Sequence, residues 1–95
     1  AVEGICEMAA KDAADRTAAN SVFYDRVHEE LHVIAAAVQP RNTDVAATLL
    51  QAKERIESDL AATQLPASFA DDMDALLGAT GNALRTLDLD VPACP

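Results

Sequence analysis

Val22-Phe23-Tyr24-Asp25-Arg26-Val27-His28-Glu29-Glu30-Leu31-His32-Val33-Ile34-Ala35-Ala36-Ala37-Val38-Gln39-Pro40 is the stretch on which the fold turns. Phe23, Val27, Leu31, Ile34 and Val38 recur at 4-4-3-4 spacing, the stripe of a helix packed on one side. Pro40 stops that helix, since it supplies no backbone N–H and crowds the preceding turn. Pro40-Arg41-Asn42 is a short link, so the next helix must come back as an antiparallel neighbour, capped by Asn42 or Thr43.

Working outward, residues 44–64 carry Val45, Leu49, Ala52, Ile56, Leu60 and Thr63 on one face, and Lys53-Glu54-Arg55 reads as solvated helix surface. Leu65-Pro66-Ala67 ends that helix. Ser68-Phe69-Ala70-Asp71 resembles a capping box with Asp in the place of Glu or Gln. Residues 69–87 then show Phe69, Met73, Leu76, Leu77, Thr80, Leu84 and Leu87 as a stripe, with Gly78 and Gly81 off it as places for a bend. On the other side, residues 2–19 form a helix with a narrow small-residue face of Val2, Ile5, Cys6, Ala9 and Ala13, and Asn20-Ser21 is the expected break, although neither residue forbids a continuous helix through this point. The tail from Asp88 to Pro95 alternates, contains prolines and is not helical. The pattern predicts an all-α fold: a four-helix up-and-down bundle in a single domain spanning residues 1–95.

Composition agrees. Half of the 95 residues are hydrophobic, alanine being the commonest of them, with three aromatics and no tryptophan, which suits closely approaching helices better than a β-sandwich. A formal charge of −9 repels phosphate backbones and anionic lipid, so neither nucleic acid nor a membrane surface is an expected partner, and no apolar run is long enough to insert in a membrane. The two cysteines, Cys6 and Cys94, form no zinc-type or C-x-x-C cluster. A disulfide joining the first helix to the tail is expected, which implies a secreted or cell-envelope protein; the alternative is a pair of reduced thiols in a cytosolic one.

The central stretch also holds both histidines and the single tyrosine. Tyr24, His28 and His32 follow one another at i, i+4, lying about 50°, 90° and 130° from the centre of the apolar stripe. Three chemistries fit that line. As H-E-x-x-H, His28 and His32 could hold zinc with Glu29 as base, as in the zincin metalloproteases. The third ligand would have to be Glu54 or Glu57, and the substrate-binding sheet is missing, so a zinc hydrolase is the remote reading. As a chelating face, His28 and His32 with Asp25 and Glu29 could take a divalent transition metal without catalysis. As axial ligands, Tyr24 and His28 could hold haem.

Cys6, Tyr24, His28 and Cys94, together with overall size, resemble the small secreted haem-binding proteins of mycobacteria, the haemophore-like helical proteins. That resemblance implies haem ligation by Tyr24 and His28, with His32 as a substitute. Alternatively, the rings pack at the edge of the stripe with their polar atoms in water, and function lies in a surface for an unidentified protein partner. The expectation is a non-catalytic extracytoplasmic binding protein, with a haem or metal ligand at the Tyr24/His28/His32 shoulder or, failing that, a sensor or inhibitor surface.

Overall fold

In the computed structural model, which describes residues 2–10 and 15–94, the regular elements are all helical, with no strand among the described residues. They are α1 (Val2–Ala9), α2 (Arg16–Val22), a π-helical turn (Phe23–Val27), α3 (His28–Val38), α4 (Thr43–Ala61) and α5 (Phe69–Thr86). The segments α2, π-turn and α3 follow one another without a gap, so the described residues form four helices. Ala13 and Lys11, assigned to the first helix from sequence, lie outside the described residues.

The break expected at Asn20-Ser21 does not occur. Asn and Ser cost a helix only about 0.5 kcal/mol each, and Ala19 and Phe23 on either side are both fully buried. Packing outweighs that small penalty, and the helix runs through. What interrupts its regularity is the π-turn, where the His28 N–H donates to the Phe23 carbonyl five residues back instead of four. Phe23, Val27, Leu31 and Val38 are sealed from solvent, while Ile34 is only half-buried and Ala35 takes its place in the core.

Gly4 explains how α1 comes so near the π-turn. A Cβ on Gly4 would lie 2.5 Å from Val27 Cγ2, a distance that only the absence of a side chain permits. On α1, Val2, Ile5 and Met8 are buried but Ala9 is exposed, so the buried face is rotated from the one drawn from sequence.

Asn42 caps α4, its Oδ1 accepting the Val45 N–H at 3.1 Å. The stripe of α4 is buried at Leu49, Ala52, Ile56 and Leu60, but Val45 is only half-buried with Ala46 in the core beside it, and Thr63 lies beyond the helix and is exposed. Ser68 does not form the expected cap; its hydroxyl donates to Asp72 Oδ2 at 3.2 Å instead. Helix α5 runs through Gly78 and Gly81, and Gly81 is buried, facing Val91 of the tail.

At the end of α5 the Leu89 N–H donates to the Leu84 carbonyl and the Asp88 N–H to that of Arg85, with Asp88 at φ 60°. This is a Schellman motif with Asp where Gly is usual. Arg41, in the turn between α3 and α4, donates to the Thr86 carbonyl at 3.1 Å and faces the Asp88 carboxylate at 3.5 Å, tying the two ends together. The tail then reaches Cys6, where the expected disulfide to Cys94 closes the chain with a Cα–Cα distance of 5.4 Å. No described helix is long and apolar enough to cross a membrane.

Candidate functional site

The continuous helix through residues 16–38 carries Tyr24 in the π-turn and His28 and His32 in α3. Their rings form a file: Tyr24 and His28 have centroids 5.4 Å apart, and His28 and His32 4.8 Å apart, edge to face. Phe23 supports the file from the core, its ring 4.9 Å from Tyr24 and 5.7 Å from His28. Tyr24 is 46% exposed, His28 half-buried and His32 exposed. An ideal helix would place Tyr24 nearer the core than His28. The extra residue in the π-turn changes that register, and His28 becomes the inner member.

His28 is also the member with a partner across the fold. Its Nε2 lies 3.3 Å from Glu57 Oε2 on α4, and the other oxygen of Glu57 accepts from Lys53 Nζ at 2.5 Å. Lys53 is only 5% exposed. The series therefore runs from a buried ammonium through a partly covered carboxylate to an imidazole at the surface. Burial pushes the Glu57 carboxyl up, but the Lys53 hydrogen bond and charge, joined by those of His28, outweigh it and hold the group below the usual carboxylate range. Glu57 is thus an anion fixed in place beside the ring.

The sequence offered Glu57 only as a candidate third zinc ligand, and Lys53 read as solvated surface. The missed signal is spacing. Leu49, Lys53, Ile56 and Leu60 stand at 4-3-4 intervals, which is core spacing whatever the residue type. A long lysine stem can lie along apolar surface there, provided its head finds a counter-charge.

Asp25 and Glu29, expected to assist the histidines, line a depression of about 400 Å³ together with Val33 and Ile34. Among the described residues no group of three or more His, Cys, Asp or Glu is arranged to hold a metal ion. The three-ligand set that a zincin needs is therefore not assembled from His28, His32 and a helical glutamate. What the file does offer is two imidazoles one turn apart and a phenol beside them, with Tyr24 and His32 exposed to solvent.

A second pair of ionisable groups lies a little further along α4, near its C-terminus. Asp59 is 9% exposed, and its Oδ2, sealed from solvent, meets no hydrogen-bond donor. Its neighbour is Asp72 of α5. Burial, then the hydrogen bond to Asp72 and the Asp72 charge, push the Asp59 carboxyl up to about 7. A carboxyl that keeps its proton can donate it to Asp72, so the pair need not carry two charges.

Comparison with known proteins finds no match to this chain among protein-family models, curated proteins or solved structures.

Proposed function

We propose that the chain is a non-catalytic extracytoplasmic binding protein. Its ligand is a transition-metal centre taken at the ring file, with His28 as the anchoring donor and His32 or Tyr24 as the second. The observation that carries this reading is the His28–Glu57–Lys53 series. Histidines that ligate metals almost always give their other ring N–H to a carboxylate, a backbone carbonyl or water, which fixes ring orientation and raises basicity. Glu57 offers His28 Nε2 that carboxylate, itself held by a buried lysine, and leaves Nδ1 for a ligand. A solvated histidine with no role needs no such support.

Imidazole suits divalent zinc and copper as well as the iron of a haem. The shared chemistry is an imidazole-seeking metal with open positions filled by water, by phenolate from Tyr24, or by a porphyrin. The Cys6–Cys94 disulfide supports an oxidising compartment, secreted or in the cell envelope. The up-and-down order of the four helices belongs to the same reading. It is supported by Asn42 and Val45 meeting Ala79 and Asn82 at one end of the α4–α5 pair, and Asp59 meeting Asp72 at the other.

The test has two arms, calorimetry with Zn²⁺ and Cu²⁺ and a haemin titration followed at the Soret band. Binding in either arm, abolished by His28→Ala, is expected. Glu57→Gln should weaken it about 10- to 100-fold, and the Lys53→Met/Glu57→Gln double variant, which removes the stranded buried charge, should restore stability without restoring affinity. Silence in both arms, or binding indifferent to His28→Ala, overturns the proposal.

A further inference from the structure

Beyond the ring file, another face of the same helix borders a groove that the proposed ligand does not use. Two depressions share Ile34. One, of about 400 Å³, is lined by Asp25, Glu29 and Val33 among others; the other, of about 390 Å³, runs between α1, α3, α5 and the tail, past Leu84 and Leu89. Its apolar floor is open to solvent: Val33 is 65% and Leu89 54% exposed, two of the most exposed large apolar side chains described. The walls are acidic along the whole length, with Asp25 and Glu29 at one end and Glu3 and Asp90 at the other. Arg26, the one cation lining it among the described residues, is paired with Glu7.

We infer that this groove is a docking surface for a basic amphipathic segment of a partner protein, a helix with apolar residues on one face and lysines or arginines on its flanks. The apolar floor calls for a side-chain stripe at i, i+3, i+4 spacing, the helix-in-groove mode of recognition. The acidic walls select its charge, speeding encounter and rejecting acidic competitors. A second copy of this chain is disfavoured as the occupant, because it would bring the same acidic walls, and a net charge of −9, against them. Anionic lipid is repelled for the same reason.

The test uses an 18-residue helical peptide of leucine and lysine at i, i+3, i+4 spacing, with its leucine–glutamate counterpart as control, and amide NMR shifts mapped on the intact disulfide-bonded chain. The lysine peptide should bind, shift the amides around Val33, Leu84 and Leu89, and weaken as salt rises. Leu89→Ser, or Glu3→Lys with Asp90→Lys, should each weaken it by about tenfold. These side chains are at the surface, so the variants fold. Asp71→Lys with Asp74→Lys, the same charge change on an exposed stretch of α5, should change affinity less than about twofold. Equal losses from both charge pairs, shifts mapping elsewhere, or equal binding of the acidic peptide would overturn the inference. Concentration-dependent dimerisation that buries Leu89 without any peptide would overturn it too, in favour of a second copy.

Discussion

Replacing Asp59 with Asn should change the pH dependence of folding more than any other conservative substitution in this chain. The folded protein holds the Asp59 proton up to a pH of about 7, whereas a free aspartate gives it up near 3.8. Between those values the native state binds more protons than the unfolded state, so stability falls as pH rises. The contribution is fully present below 3.8 and is lost as pH passes 7. At about 1.4 kcal/mol per unit over roughly three units, the loss amounts to at most ~4 kcal/mol, a large part of the 5–15 kcal/mol typical of a domain. Asparagine keeps the shape and can donate its amide to Asp72 at every pH. Urea unfolding from pH 5 to 8.5 should therefore show wild type weakening and Asp59→Asn nearly flat, with the variant more stable at pH 8 by a few kcal/mol. Glu57 does not mask this effect. Its lowered pKa adds stability that is present above 4.5 and lost as pH falls through the folded value, below the window used. Parallel curves for the two proteins across the window would refute the shared proton.

Three further variants probe the packing and the disulfide. Gly4→Ala should destabilise the fold by about 1–3 kcal/mol in urea unfolding, because the added methyl meets the stiff side chain of Val27 at 2.5 Å. Gly78→Ala should do the reverse, raising stability by about 0.4–1 kcal/mol, since an added Cβ meets nothing within 4 Å and no glycine has positive φ. Removing the disulfide with Cys6→Ser and Cys94→Ser opens a loop of 88 residues and should lower the denaturation midpoint, by up to ~4–5 kcal/mol in the chain-entropy account.

The helices were legible where apolar spacing, proline and cap residues agreed. Phe23, Val27, Leu31 and Val38 bury as their spacing requires, Asn42 caps α4, and Cys94 reaches Cys6. The π-turn was not legible, because a ladder that slips by one residue leaves no mark in composition, yet it decides that His28 and not Tyr24 lies innermost. Lys53 and Asp59 were missed for a different reason. Charged residues are assigned to solvent by type, whereas an alanine-rich set of packed helices has thin faces into which a lysine stem or a protonated carboxyl can pack once a partner stands opposite. The candidate site was thus half readable: the file of rings follows from i, i+4 spacing, but its support from α4 follows only from the fold. Ser68 shows the converse, a cap motif whose hydroxyl finds Asp72 instead.

The central claim is that His28 is a ligand held ready by Glu57, and the ring protons of the two histidines test it most directly. Their NMR signals can be followed as Cu²⁺ or haemin is added up to one equivalent. The account predicts that the His28 resonances broaden or shift first, with His32 or Tyr24 following, and that Glu57→Gln delays the response. Ring signals from both histidines that stay unchanged at one equivalent of each ligand would contradict it.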